Sequence, residues 1–308
     1  MREIHGVSGA RFMDPAVLAR IGNLELVSRS VVDGFINGLH KAPYFGASVD
    51  FAEHRGYVPG DDVRRMDWRV WARTDRLYIK EYEAESNMNF SVLLDVSKSM
   101  DYGSRGITKL DYARILGACL TSLVHHQRDR VGFAAFDSDV VEFVPSSAKH
   151  METILHVMDR LKAGSPGNLT KPLHKLAEHY GRRGTLILIS DFYEDPETVL
   201  EAVAPLRFRG NDIIVFHVLD PTELEFGFAD ASPFEDLETG EQMPVVPEAF
   251  REEYRSLVKA HIEALRQSFS KVRVDYSMVD TSQPLDHALF RYLSSRSRAM
   301  KSRWPCPF

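Results

Sequence analysis

Several residue types and patterns that mark common protein classes are scarce or missing in this chain. Its 308 residues include only two cysteines, Cys119 and Cys306, which cannot build a disulfide framework and lack the paired spacing of a metal site. Cys119 stands in an apolar pattern, so it is predicted to be a buried thiol. Asp and Glu (44) outnumber Lys and Arg (38), and the resulting net charge of −6 argues against a general nucleic-acid binder.

Long apolar runs are also missing. No apolar run approaches the roughly 20 residues that a membrane-spanning helix needs, and the charged N-terminus has no apolar segment of the kind found in secretory signals. These absences predict a cytoplasmic protein without a membrane span. The sequence also contains neither the glycine-rich phosphate loop of ATPases nor a dinucleotide-binding fingerprint, so the chain is not expected to hydrolyse ATP itself.

The first part of the chain differs from the rest in its patterning. Over 14–39, apolar residues recur three and four positions apart, which predicts a helix that starts at Asp14 and Pro15. Residues 40–89 are polar and aromatic and carry turn signals. They include a short alternating stretch at 76–85 that predicts a strand.

From residue 90 onward, segments typical of strands alternate with segments typical of helices. FSVLLD (90–95) and TLILISD (185–191) are continuous apolar runs, as in parallel strands that are buried on both faces. RVGFAAFD and VVEFVP flank a tight turn and predict an antiparallel hairpin. The pattern predicts an α/β fold whose sheet is mostly parallel, with one antiparallel edge strand at 140–145 and helices on both faces. Further strands are predicted at 212–220 and 271–279, and helices at 109–127, 148–162, 171–180, 196–208, 247–269 and 284–295.

These patterns predict three parts. Residues 1–88 form an N-terminal helix plus a polar segment that packs on the core, and 89–295 form the α/β domain. Within that domain, the polar and aromatic stretch 221–246 is an insertion in which LETGEQ predicts a hairpin turn. The basic tail 296–308 has no periodicity and is expected to be loose.

Side chains that carry oxygen atoms stand at the ends of two predicted strands and at the end of one loop. DVSKSM places Asp95, Ser97 and Ser99 after the first strand of the α/β region, Asp191 follows TLILIS, and Thr170 ends the loop AGSPGNLT. Ligands of open α/β sheets bind at the carboxyl ends of the strands. Two carboxylates and three hydroxyls are hard oxygen ligands that suit Mg²⁺, or Mn²⁺, rather than zinc. The sequence therefore predicts a magnesium site made of these five residues.

Other roles remain open for the same residues. A serine after Asp95 could cap the following helix, Thr170 could cap helix 171–180, and Asp191 could belong to a turn. In an enzyme, Asp95 would be the nucleophile of a magnesium-dependent phosphatase or phosphotransferase. Such enzymes normally place a second acid two residues later, but position 97 is a serine, which is a poor general acid. We find no catalytic constellation and expect no enzyme activity.

The stretch DVSKSM, the later loop threonine and the strand-end aspartate together resemble the metal-ion-dependent adhesion site of von Willebrand factor A-like domains. DRVGFAAFD (129–137) also resembles the second strand of that family. The resemblance implies a Rossmann-like fold in which the same five residues are metal ligands and an acidic residue of a partner protein completes the coordination. One departure concerns Thr170, because the loop reads PGNLT where the family usually has Gly-Gly-Thr.

Residues 51–85, FAEHRGYVPGDDVRRMDWRVWARTDRLYIKEYEAE, closely resemble the family called domain of unknown function 58. Its hallmark is Arg-x-Tyr-x-Pro-Gly-Asp-Asp, then Asp-Trp and Ala-Arg-Thr, ahead of an A-like domain. Members are often encoded beside MoxR-type AAA+ ATPases. The resemblance therefore implies a protein-interaction module that works with such an ATPase in chaperone-like assembly or maturation of a client protein. A structural subunit with a vestigial metal site is the remaining alternative.

Overall fold

A computed structural model of the chain describes residues 14–41, 53–57, 66, 71, 73, 74, 76–81, 88–181, 183–227, 232–235, 242–245 and 247–303. Its strands in chain order are β1 (Glu53–Gly56), β2 (Tyr78–Glu81), β3 (Asn89–Asp95), β4 (Arg130–Phe136), β5 (Val140–Ser147), β6 (Gly184–Ser190), β7 (Asp212–Leu219), β8 (Ser232–Glu235), β9 (Gln242–Val245) and β10 (Asp275–Asp280). Its α-helices are α1 (Pro15–Ala19), α2 (Leu24–Lys41), α3 (Lys109–His126), α4 (Met151–Arg160), α5 (Thr170–His179), α6 (Pro196–Phe208), α7 (Pro221–Glu225), α8 (Pro247–Lys271) and α9 (Leu285–Arg303).

Six of these strands form one sheet in the order β10-β7-β6-β3-β4-β5. Five of them run parallel, and β5 pairs antiparallel with β4 at the edge. From β3 the chain first adds β4 and β5 on one side, and then returns to place β6 on the other side. This change of direction creates a topological switch point at the carboxyl ends of β3 and β6, where ligands of open α/β sheets bind.

The sheet is covered on both faces because successive side chains of a strand point to opposite sides. Val92 and Leu94 of β3 belong to a core shared with α2, α3, α4 and α9. Leu93, between them, belongs to a second core shared with α5, α6 and α8. The predicted α/β fold, with a mostly parallel sheet, one antiparallel edge strand and helices on both faces, is confirmed.

The N-terminal helical pattern is divided into two helices. α1 ends at Ala19 and α2 begins at Leu24, and between them Gly22 takes a positive φ of 65° that a continuous helix does not allow. α2 then packs on α3, where Ser122 Oγ donates to Ser28 Oγ at 3.0 Å. Phe35 of α2 is buried and meets the ring of Phe290 edge-on at 4.8 Å. The N-terminal helix pair therefore contributes to the same core as the sheet.

Some predicted ends differ from the observed ones. The helix predicted over 148–162 is shorter because β5 continues to Ser147. β10 begins at Asp275 instead of 271, because α8 continues to Lys271 and Arg273 turns the chain with a φ of 57°. α9 continues to Arg303, so helical structure extends into the first part of the predicted tail, 296–303.

The remaining predictions fall partly outside the described residues. Most of the Arg-x-Tyr-x-Pro-Gly-Asp-Asp stretch, the turn between β8 and β9, and 304–308 are among the residues that the structure does not describe. β8 and β9 pair antiparallel, as the predicted hairpin in the insertion requires. In the described part of the chain, no helix is both long and apolar enough to span a membrane.

Gly132, in the middle of β4, leaves room for a hydrogen bond between its two neighbouring strands. Ser91 of β3 and Ser146 of β5 approach to 3.0 Å between their hydroxyl oxygens. A Cβ atom on residue 132 would lie 2.7 Å from both oxygens and 3.0 Å from the backbone nitrogen of Ser146. A side chain at this position would therefore force the serines apart.

Gly132→Ala is expected to destabilise the fold by roughly 1–3 kcal/mol, because the methyl group breaks the serine pair and crowds the β5 backbone. Urea unfolding followed by circular dichroism measures this loss. Gly227→Ala is a suitable control, because a Cβ atom there meets no atom within 4 Å. Equal unfolding midpoints for the two variants would show that the space above Gly132 is not needed.

Candidate functional site

Aspartates stand at the same end of four adjacent strands. Asp95 ends β3, and Asp137, Asp191 and Asp220 directly follow β4, β6 and β7. Their exposed fractions are only 4%, 8%, 3% and 0%, respectively. A buried carboxylate is costly unless donors or cations surround it. The loops at this edge must therefore supply partners for four carboxylates.

The turn after β3 is built around Asp95 and its two serines. The Oδ1 atom of Asp95 accepts the backbone N–H of Ser97 at 2.8 Å, and Ser97 Oγ lies 3.1 Å from Ser99 Oγ. Ser97 occupies the cap position of a 3₁₀ helix at Lys98–Asp101, but its side chain makes no capping hydrogen bond. The hydroxyl therefore faces the other site residues instead of the helix end.

The second oxygen of Asp95 is held from the neighbouring strand. Ser190, the last residue of β6, donates its hydroxyl to Asp95 Oδ2 at 2.6 Å and accepts the backbone N–H of Phe192 at 3.1 Å. Burial, and then the negative charge of Asp191, raise the pKa of Asp95 to about 7, although the hydrogen bonds from Ser190 and Ser97 oppose the change. Neutral donors therefore stabilise the ionised form of this carboxylate only in part.

Asp191 is paired with a buried lysine. Lys109 Nζ donates to Asp191 Oδ2 at 2.8 Å, to Glu223 Oε1 at 2.8 Å and to Tyr193 Oη at 3.2 Å, and its side chain is 0% exposed. Burial acts to lower the pKa of Lys109, but the charges and hydrogen bonds of Asp191 and Glu223 outweigh it and raise that pKa. Lys109 is therefore a charged ammonium within the site.

The position of Lys109 is set by the start of α3. Thr108 caps this helix by accepting the N–H of Asp111 at 3.0 Å, and the N–H of Lys109 donates to the carbonyl of Tyr102 at 2.8 Å. The first turn of a helix favours acidic side chains, because the helix dipole is positive there. A lysine at this place opposes the dipole, and it is compensated here by the two carboxylates.

The loop before α5 is tied to the turn after β3. The N–H of Gly164 donates to the carbonyl of Val96 at 2.8 Å, and the N–H of Lys98 donates to the carbonyl of Ser165 at 3.1 Å. Asp137 accepts the N–H of Ser165 at 3.0 Å. The strand-end acid of β4 therefore anchors this loop beside Asp95.

Thr170 is the predicted ligand that the structure connects least. It is half-buried at the first position of α5, and the cap position belongs to Leu169, so the alternative role as a helix cap is wrong. Asn168 instead accepts the N–H of Lys171 at 3.1 Å, and Leu169 N–H donates to Glu194 at 2.8 Å. Among the hydrogen bonds of the described residues, none joins the Thr170 hydroxyl to the other predicted ligands.

The structure thus brings four of the five predicted ligands to one place. Asp95, Ser97 and Ser99 share a turn, and Asp191 is close enough to raise the pKa of Asp95 by its charge. Sequence reasoning missed Ser190, Lys109 and Glu223. Ser190 precedes Asp191 directly, and Lys109 could have been noticed as a lysine in the first turn of a predicted helix.

The turn after β6 places one aromatic ring inside and the next one outside. Phe192 takes a positive φ of 45°, which is unusual for a side chain of this size, and it packs in the core against His217 and Phe269. Tyr193 is 52% exposed, yet its ring lies 4.6 Å from the Lys109 ammonium. An exposed ring therefore borders the buried ionic cluster.

The residues present fit a divalent cation. Asp95, Ser97 and Ser99 offer adjacent oxygen atoms, and two nearby buried carboxylates repel each other unless positive charge separates them. The part of the chain that the structure describes contains no group of three or more His, Cys, Asp or Glu side chains placed to hold a metal. A metal here would depend on hydroxyl oxygens in addition to the two carboxylates.

Comparison with known proteins identifies a family and relatives of unknown function. Residues 53–264 match the model of the family described as "Protein of unknown function DUF58". Uncharacterised proteins of Mycobacterium bovis and Mycobacterium tuberculosis are 27% identical to this chain over 292 residues, which cover 92% of this chain and 91% of each relative.

Solved structures that are similar to this chain share little sequence with it. BatB from Bacteroides thetaiotaomicron is 16% identical with a TM-score of 0.47, covering 70% of this chain and 100% of its own. An aerotolerance-related membrane protein from Bacteroides fragilis is 16% identical with a TM-score of 0.48, covering 67% and 98%. The SpRpn10 VWA domain is 12% identical with a TM-score of 0.40, covering 66% and 93%.

Ser190→Ala is expected to destabilise the protein by about 1–3 kcal/mol, because it removes a donor from the buried Asp95 carboxylate and an acceptor from the N–H of Phe192. Urea unfolding at neutral pH measures the loss. Ser294→Ala, on the surface of α9, removes an exposed hydroxyl that donates to the carbonyl of Phe290 in its own helix at 2.8 Å, and it should change stability by less than about 0.5 kcal/mol. If both variants unfold at the wild-type midpoint, Ser190 does not stabilise Asp95.

Proposed function

Since this chain belongs to the family of proteins of unknown function DUF58, we propose that it is a divalent-metal-dependent protein-interaction module. The observation that carries the proposal is the buried Asp95 carboxylate, which lies beside two hydroxyls and near a second carboxylate at the switch point of the sheet. This position is where α/β sheets bind ligands. A von Willebrand factor A-like fold, implied by the sequence resemblance, also supports a role in metal-dependent protein binding.

Asp95, Ser97 and Ser99 would hold Mg²⁺, or Mn²⁺, and Asp191 and Thr170 would contribute directly or through water. When bound, the cation supplies a positive charge and a coordination position for a carboxylate. Ser190 keeps the Asp95 carboxylate oriented by its hydrogen bond to Oδ2. The two serine hydroxyls are buried and lie side by side, so they would offer two adjacent oxygen atoms to a cation.

The partner we propose is a protein that presents an acidic side chain. The family resemblance supports a MoxR-type AAA+ ATPase, or the client of such an ATPase, in chaperone-like assembly or maturation. The exposed ring of Tyr193 borders the site and offers an apolar surface for the residues around the partner's carboxylate. A cytoplasmic location and the absence of nucleic-acid binding remain predictions from the composition.

A phosphatase or phosphotransferase is not favoured. Ser97 stands where such an enzyme needs a second acid, and its hydroxyl is buried 3.1 Å from Ser99. We propose a binding role without catalysis, and phosphatase turnover that disappears in Asp95→Asn would contradict it. A structural subunit with a vestigial metal site would show no stabilisation by Mg²⁺ in a thermal-unfolding titration, whereas a ligand that binds the folded state raises the unfolding temperature.

Asp95→Asn is expected to reduce capture of the MoxR-type ATPase from the same genome on the order of tenfold or more, because it removes a charge from the metal site. The wild-type chain should lose capture to the same extent when EDTA replaces Mg²⁺. Binding of the purified ATPase to the immobilised full chain measures both effects.

Asp159→Asn, on the exposed face of α4, is the matched control and should bind like the wild type. Circular dichroism shows whether each variant is folded. Capture that is insensitive to both EDTA and Asp95→Asn would exclude the metal-dependent interaction, whatever else the chain binds.

A further inference from the structure

Lys109 is a fixed cation between the candidate metal site and the insertion. Its ammonium contacts Asp191 on one side and Glu223 of α7 on the other, at 2.8 Å in both cases. The other oxygen of Glu223 accepts the N–H of Asp220 at 2.9 Å, as part of the capping box of α7. Glu223 is therefore held in place, and Lys109 is held in turn by partners on both sides.

The lysine is shielded from solvent. Its side chain is 0% exposed, and the ring of Tyr193 lies 4.6 Å from the ammonium. Charges in such surroundings act on one another more strongly than charges in water, because little solvent screens them. The charge of Lys109 must therefore influence any ion or anionic group that binds next to Asp95 and Asp191.

A count of the charges shows the direction of that influence. With Asp95 ionised, as cation binding requires, Asp95, Asp191 and Glu223 carry three negative charges, and Lys109 reduces the sum over these four groups to −2. A divalent cation would bring this cluster to neutrality, so that a further carboxylate can join without net repulsion. Without Lys109, the same loaded cluster would keep a charge of −1. The apo cluster would then attract the cation more strongly, and the loaded cluster would repel a carboxylate.

We infer that Lys109 is a specificity-determining residue of this site, which weakens binding of the cation alone and favours binding of an anionic partner group once the cation is present. This inference rests on the proposed function. The lysine shifts the two affinities in opposite directions, whereas the attraction between cation and carboxylate makes each raise the affinity for the other by the same factor. The lysine acts through Asp191 and through space, and it does not touch the partner.

Lys109→Met keeps an unbranched side chain that is one atom shorter and removes the charge. We expect the full-length variant to bind Mg²⁺ alone on the order of tenfold more tightly than the wild type, because a nearby positive charge is gone. Acetate should then bind the Mg²⁺-saturated variant more weakly than the Mg²⁺-saturated wild type, also by a factor on the order of ten. Isothermal titration with Mg²⁺, and with acetate at saturating Mg²⁺, measures both constants. A purely structural lysine would not shift the two affinities in opposite directions.

Two further variants keep the test decisive. Lys175→Met removes an exposed lysine of α5 that pairs with Asp139, and it should leave both affinities unchanged. Glu223→Gln removes a negative charge instead, so it should weaken Mg²⁺ binding and strengthen acetate binding to the Mg²⁺-saturated protein. This variant tests the inference even if Lys109→Met does not fold. Mg²⁺ binding by the wild type with unchanged or weaker binding by Lys109→Met overturns this inference alone. No Mg²⁺ binding by any variant overturns both this inference and the proposed function.

Discussion

Buried carboxylates at one end of the sheet are the constraint on which this part of the structure depends. Each aspartate draws a different segment of the chain toward the strand ends, because each needs donors that its own strand cannot supply. Asp137 holds the loop before α5 through Ser165, whereas Asp220 accepts both the N–H and the hydroxyl of Ser104 and the N–H of Thr222. Burial of acids thus orders the loops that form the site.

The four carboxylates differ in how their charge is compensated. Backbone and hydroxyl donors are enough for Asp220. Burial acts to raise the pKa of Asp220, but the hydrogen bonds from Ser104 and Thr222 together outweigh it and lower that pKa. Asp191 has the ammonium of Lys109. The pKa of Asp95 is raised to about 7, and the hydrogen bonds it accepts from described residues come from neutral groups. Of Asp220, Asp191 and Asp95, the least compensated acid is therefore Asp95, at the switch point where α/β sheets bind ligands.

Much of the fold followed from the sequence because its signals are local. Continuous apolar runs predicted β3 and β6, and helical periodicity predicted α6 with the observed ends. Asp95, Ser97 and Ser99 could be placed together because they are neighbours in a single turn. Lys109 is separated along the chain from Asp191 by 82 positions and from Glu223 by 114 positions, and no local sequence pattern indicates such contacts. The break at Gly22 was missed because the apolar spacing continues across it.

The packing of α2 also bears on which segments of the chain can fold without one another. Val31 and Phe35 are buried in the same core as Val92 and Leu94 of β3, although more than fifty positions separate them along the chain. A chain that began after α2 would keep α3, α4 and α9 on that face, but the apolar side chains that α2 covers would be exposed. The α2 segment and the sheet therefore belong to one core, even though the stretch between them differs in composition from both.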